Sequence, residues 1–262
     1  MTVPHSHSLP IWRTVVATYR EWWRMLPVLR PLVVNAVLIV VAISALDALV
    51  PARWSGQEPS ASIVTLIEAA LRALLLAPVV AAIHRFIIRD NTTKAYTLPL
   101  GDPQFRRFFA WLFAIELIGG LPPEFLVLMQ AFNGSVRATA AAFAVAVVAA
   151  LALMLRLVIL PPAIAVRAPG ARVAQALADT RGYALRIFAI FVLALTPWLA
   201  LGGLIGIILI GPSDAAAGSV AAMAGMVIGG VTQTITLTLM AVIASLMFIA
   251  LAVQVRNPGG TK

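Results

Sequence analysis

The sequence predicts an all-α fold: a polytopic membrane helical bundle of six transmembrane helices, with amphipathic in-plane helices on the cytoplasmic side. Three observations lead there. Of the 262 residues, 61% are hydrophobic and 11% are charged, where soluble domains carry roughly 25% charge. A chain this apolar cannot cover a water-facing surface. The charge-free runs are long, 27 residues from Ile187 to Ser213 and 41 from Ala215 to Val255. About 20 apolar residues suffice to cross hydrocarbon as a helix, and continuous rather than alternating runs indicate helices, not barrel strands. Lysines and arginines, finally, gather in alternate gaps between the runs.

Each element follows in order. Residues 1–8 read as a disordered tail. Residues 9–26 have helical spacing, with Trp12, Val15, Val16, Tyr19, Trp23 and Leu26 on one face and Arg13, Ala17, Arg20 and Arg24 on the other. Such a helix suits the plane of a membrane interface. The run after it has no small-residue cleavage site, so the first span is expected to be retained. The spans are expected at about 32–50, 62–88, 108–129, 138–160, 183–210 and 219–253, all within one integral membrane domain covering 1–262. A polar linker, 89–107, carries the turn-forming LPLGDP. A second amphipathic segment covers about 170–182. Span three is expected to be broken at Gly119, Gly120, Pro122 and Pro123, and span five to kink at Pro197. The last apolar stretch, 215–255, is ~60 Å long as a helix. One long tilted helix is the preferred reading, and a turn at Gly229-Gly230 giving two short spans or a re-entrant loop is the alternative. Arg107-Phe-Phe-Ala-Trp and Arg186-Ile-Phe-Ala-Ile open spans three and five alike, a faint internal repeat.

Charge orients the spans. Arg13, Arg20, Arg24, Arg30, Arg85, Arg89, Lys94, Arg106, Arg107, Arg156, Arg167, Arg172, Arg181, Arg186, Arg256 and Lys262 fall on one side; only Arg53 and Arg137 fall on the other. That bias places both termini in the cytoplasm. It also accounts for the net charge of +9, so no nucleic-acid partner is expected. The bilayer and its anionic headgroups are the expected partners, contacted through Arg13, Arg20, Arg24, Arg172, Arg181 and Arg186. Arg156, at a span end, is expected to snorkel to the headgroups.

Catalytic chemistry is hard to place. There is no cysteine, and no GxSxG, HExxH or P-loop pattern. His5 and His7 stand in the tail, and two ligands without a scaffold do not make a metal site. His84 reads as an interfacial histidine at a span end. No enzyme activity, metal or cofactor is expected. Intramembrane charge is the better lead, because it is costly to bury. Glu68 and Arg72 are one helical turn apart and form an expected ion pair. Asp47 lies at similar depth and is a candidate third member. Glu116 has no cation within four residues on its own span, and the GGLPP after it resembles the broken helices of transporter sites. Thr232 and Thr236 share a helix face, as do Thr234 and Thr238. Threonines in spans bond their own backbone or join helices. Gly202 and Gly206, and Gly225 and Gly229, have the spacing of close helix packing, with a pathway lining as the lesser reading.

The segment LPPAIAVRAPGARVAQALADTRGYALRIFAIFVLAL resembles the central stretch of the YciC-like bacterial membrane proteins and of the related membrane domain attached to some glycerophosphodiester phosphodiesterases. Pro161, Pro162, Ala163, Ala165, Ala176, Arg181, Gly182, Arg186 and Phe188 carry the likeness, and AIHRFIIRD is a further shared feature. It covers about 35 residues. A tryptophan usual near Asp179-Thr180 in that pattern is absent here. The resemblance implies a six-span inner-membrane protein and transfers no catalytic residue. The expected function is thus a non-enzymatic, multi-pass inner-membrane scaffold or envelope- and lipid-associated factor, able to form a helix-mediated oligomer or to bind a membrane-protein partner. The alternative is a small transporter or channel using Glu116 or the Glu68/Arg72 pair.

Overall fold

The structure is a computed structural model that describes residues 9–49, 59–93, 95–131, 136–210 and 220–256, without the side chains of 47–49, 59–65, 119–131, 136–139, 209–210, 220–222 and 254. The described residues form helices only: α1 (Ile11–Val28), α2 (Arg30–Leu49), α3 (Pro59–Arg89), α4 (Pro103–Ala131), α5 (Val136–Leu157), α6 (Leu160–Ala165), α7 (Val173–Asp179), α8 (Ala184–Ile210), α9 (Val220–Leu251) and α10 (Val253–Arg256). Four stretches among them are long and apolar enough to cross a membrane: Leu66–Arg89, Ala140–Ala165, Ala184–Ile208 and Met223–Leu251. A fifth is present if α1 and α2, which meet at 94°, count as one bent span. The expected tail at 1–8, with His5 and His7, lies outside the described residues, as do Arg53 and Lys94.

The centre of the bundle is α9, which packs on α8, α2, α3, α1 and α6. Over an 18-residue apolar window, α9 is 61% buried, against 17% for α8. Leu239, Val242, Ile243 and Met247 fill the interior, and among the described residues the buried polar side chains of α9 are Thr234, Thr238 and Ser245, whose hydroxyls bond the helix itself. α8 and α5 instead expose Leu204, Ile207, Ile208, Val145 and Val148, the outward apolar surface of a membrane-embedded bundle. α9 runs unbroken through Gly229-Gly230, so the single long helix is the outcome.

Close backbone approach fixes two seams. A Cβ on Gly230 would stand 2.5 Å from Val41 Cγ2, and one on Gly202 would stand 2.6 Å from Thr232 Oγ1. α2 and α8 therefore reach α9 at glycines. The expected pair Gly225/Gly229 is not one of these seams: a Cβ on Gly229 would meet nothing within 4 Å. One residue further turns the helix by about 100°, and that rotation puts Gly230 rather than Gly229 at the contact.

α1 buries Val15, Thr18, Trp22 and Met25, spaced three and four apart, against α8 and α9. Trp22 Nε1 donates to Thr238 Oγ1 at 2.9 Å, and Tyr19 Oη donates to the Ala194 carbonyl at 2.7 Å. The expected apolar face is divided: Val15 is buried against the bundle, while Trp12 and Trp23 are 69% and 60% exposed. α1 thus has three faces: one on the protein, one apolar and outward, one of arginines.

The expected break in span three is absent. α4 is helical from Pro103 to Ala131, through Gly119-Gly120 and Pro122-Pro123. Glycine and proline inside a membrane helix are tolerated where neighbouring groups satisfy the freed carbonyls. α8 likewise continues through Pro197. The linker after α3 folds back along that helix, with Tyr96 Oη donating to the Leu75 carbonyl at 2.8 Å.

Candidate functional site

The densest polar structure lies where α3 and α4 meet α6. All six residues of α6 are buried, which raises the question of how its backbone groups are satisfied. At its start, Pro161 and Pro162 bring no N–H, so two of the donors that lack intrahelical partners do not exist. At its end, three carbonyls take side-chain donors from elsewhere. Gln104 Nε2 reaches Ile164 at 2.7 Å, Arg85 Nε reaches Ala165 at 3.0 Å, and an Arg89 amino group reaches Val166. Cations are favoured at this end of a helix by its dipole.

The turn that leaves α6 is a Schellman motif. Ala168 N–H bonds the Ala163 carbonyl at 2.9 Å, and Arg167 N–H bonds Ile164 at 3.0 Å. Arg167 occupies the position glycine usually takes, at φ 56°, a conformation that costs about 1–2 kcal/mol for a residue with a Cβ. Its side chain, 62% exposed, pairs with Asp102 Oδ2 at 2.9 Å. Asp102 Oδ1 accepts the Gln104 N–H at 2.9 Å, the N-cap of α4. The Gln104 backbone N–H first, and Arg167 after it, hold the Asp102 carboxyl below its ordinary value of 3.8.

Other arginines do similar work nearby. Arg107 donates to the Ala171 carbonyl. Arg156 donates to Leu177 at 2.8 Å and receives Thr180 Oγ1 on its own carbonyl at 2.8 Å. The expectation that Arg156 snorkels to headgroups is thereby corrected: the guanidinium ends on the C-terminal turn of α7, which offers carbonyls without partners. Arg24 was expected to face lipid. It lies 2.8 Å from Glu21 and 3.5 Å from Asp90, over the Phe86 ring at 5.0 Å.

A second set has no such employment. Arg13, Arg20, Arg30, Arg106, Arg172, Arg181 and Arg186 are exposed and make no side-chain bond or ion pair among the described residues. Five of the six expected lipid-contacting arginines belong to it, all but Arg24.

The charges expected within the membrane converge further than the sequence indicated. Glu68 and Arg72 form the expected pair, with side chains 25% and 20% exposed. Glu116, expected to stand alone, is within electrostatic reach of both, because α3 and α4 pack along each other. The side chain of Asp47 lies outside those described. Thr234, Thr236 and Thr238 donate to their own helix, at Gly230, Thr232 and Ile235. Thr232 and Thr236 line a groove of about 390 Å³ between α8 and α9, together with Gly202, Gly206, Gly225, Gly229 and Gln233. A smaller groove lies by Tyr19, Trp23 and Trp198. Neither contains Glu68, Arg72 or Glu116.

His84 is a correction. It is 1% exposed, not interfacial, with Nδ1 2.8 Å from Ser245 Oγ and its ring edge-on to Phe108. Ser245 in turn donates to Ala241 at 2.8 Å, so the imidazole Nδ1 acts as a partner in a closed chain of bonds across α3 and α9. Among the described residues no three His, Cys, Asp or Glu are grouped to hold a metal ion. The carbonyl-binding roles of Arg85, Arg89 and Gln104 had no local signal in the sequence, except that two prolines opening a short apolar helix demand capping at its other end. The chain matches no protein-family model, no curated protein and no solved structure.

Proposed function

We propose that this chain is a six-span, non-enzymatic protein of a bacterial inner membrane that binds anionic lipid at its cytoplasmic, arginine-rich end. The observation that carries the reading is the division of the arginines. Among the described residues eight are used within the protein, at Arg24, Arg72, Arg85, Arg89, Arg107, Arg156, Arg167 and Arg256. The seven without partners sit on α1, at the starts of α2, α4 and α8, and around α7. In the six-span topology those positions share one side, where each basic residue near an anionic surface is worth about 1 kcal/mol. Exposed Trp12 and Trp23 beside them suit the interface.

The span number is supported by helix length. α2 has 20 residues and α4 has 29, enough for each to cross ~30 Å of hydrocarbon. The 94° turn between α1 and α2 supports an in-plane α1. The likeness to YciC-like membrane proteins points the same way.

The test is co-purification of lipid with the full chain. A variant with Arg13, Arg20, Arg172, Arg181 and Arg186 changed to Gln is expected to lose most of its bound anionic phospholipid and to keep its fold by circular dichroism. Unchanged retention of anionic lipid would refute the reading. Because the chain has no cysteine, single cysteines introduced at 172 and 137 report sidedness directly: labelling of both from the same side would refute the topology.

Transport through the Glu68–Arg72–Glu116 cluster is the lesser reading. Its support is the union of three charges across two helices. A Glu116→Gln protein that conducts protons or solutes as the parent does would remove it.

A further inference from the structure

The geometry points to a discrete phosphate-binding site at the junction of α3, α4 and α6, formed by Arg85, Arg89 and Arg167 around the last turn of α6. This goes beyond the diffuse lipid-facing surface, since it uses three arginines that surface does not include.

Three observations combine. Arg85 and Arg89 lie one turn apart on α3 and are drawn to the adjacent carbonyls of Ala165 and Val166. Arg167 follows those carbonyls directly in the chain, and Arg85 is within electrostatic reach of both Arg89 and Arg167. Three guanidiniums therefore share one small region, where like charges repel. The carboxylate among them is Asp102, bonded to Arg167; Asp90, next to Arg89, is taken by Arg24. Positive charge is left over. Each of the three guanidiniums gives one bond to a protein acceptor, out of five N–H donors. Arginine forks match phosphate oxygens with paired N–H groups.

The backbone supplies an independent reason. Arg167 holds a left-handed conformation, φ 56°, that glycine would adopt freely. Strain kept at a position where a simpler residue would fit marks a side chain with a task.

The ligand class is a phosphate monoester. It comes either from a phospholipid headgroup or from a small phosphorylated solute. Two substitutions separate the site from the fold. Arg167→Gly suits the backbone and removes the charge. Asp102→Asn keeps a good N-cap and removes the competing carboxylate. Delipidated full-length protein in neutral detergent is titrated with phosphatidic acid, with phosphatidylcholine and with inorganic phosphate, and bound ligand is read by native mass spectrometry and thermal shift. Phosphatidic acid is expected to bind about tenfold more weakly to R167G and more tightly to D102N, with phosphatidylcholine indifferent to both. Saturation by inorganic phosphate, lost in R167G, assigns the site to a soluble ester; saturation by phosphatidic acid alone assigns it to a headgroup. Equal binding of every probe to parent, R167G and D102N overturns the site. The protein with Arg172, Arg181 and Arg186 changed to Gln is expected to keep this saturable binding. If that protein loses it while R167G keeps it, the discrete site fails and the diffuse surface stands.

Discussion

The two ends of the bundle are held by different means. At the arginine-rich end, side chains from one element end on the backbone of another: Arg85 and Arg89 from α3 and Gln104 from α4 on α6, and Arg156 from α5 on α7. In the other half of the bundle the polar groups mostly stay at home. Thr234 and Thr236 bond their own helix, and Glu68 meets Arg72 within α3. There the helices approach through glycine, Gly230 on Val41 and Gly202 on Thr232, and leave a groove between α8 and α9. The comparison teaches that directional bonds fix one end, while shape alone fixes the other. Inside a membrane this matters, since lipid is as apolar as the side chains and burial gives little drive for association.

Substitutions should therefore hurt in different currencies at the two ends. The largest effect is expected from Gly230→Leu, which forces bulk into the α2–α9 seam: a loss of about 3 kcal/mol, at the upper end of overpacking costs, measured by steric-trap or denaturant unfolding in detergent. A parent-like stability would mean that the seam is loose and shape does not hold this half. Arg72→Met comes next. It leaves Glu68 and Glu116 without their cation, and a loss of about 2 kcal/mol is expected, reduced from the figure for fully buried pairs because both side chains are partly exposed. Adding Glu68→Gln should recover part of it; no recovery would exclude charge as the cause. Ser245→Ala, at the braced end, leaves His84 Nδ1 without its partner and should cost about 1 kcal/mol.

Acid should act at the braced end through Asp102. Asp102 titrates below its ordinary value, chiefly through the Gln104 N–H and then Arg167. Its contribution is complete above that ordinary value of 3.8 and fades as the pH falls through the lowered one. Asp102→Asn should flatten the acid side of the stability profile below pH 3.8, and an unchanged profile would assign the slope to another carboxyl. The smallest effect belongs to Thr236→Val. Its hydroxyl bonds only its own backbone, so the change should stay within about 0.5 kcal/mol; a larger loss would reveal a bond across the groove.

What the sequence disclosed divides along the same line. Helices were legible, because apolar runs and flanking arginines are local. So was Glu68 with Arg72, since a spacing of four on a helix is geometry enough. Glu116 with Arg72 was not, because nothing local encodes which helix packs on which. His84 was misread for the same reason: a lone histidine beside Arg85 looks interfacial until Ser245, far along the chain, is brought to it. Trp22, which lies between the two faces drawn from the pattern of α1, proved the residue that ties α1 to α9. A face reads as apolar from its own residues, but only its neighbours decide whether protein or lipid covers it.

The central position of α9 has a consequence in time. It follows every other long helix in the described chain, yet α1, α2, α3, α6 and α8 all pack on it. During synthesis Trp22 waits for Thr238, His84 for Ser245 and Val41 for the bare backbone at Gly230. Until α9 leaves the ribosome, the earlier helices can pack only on one another, with an indole and an imidazole lacking their partners. Assembly of this bundle is thus completed by its last-made long helix, and a chain stopped before residue 220 would leave those waiting groups without partners.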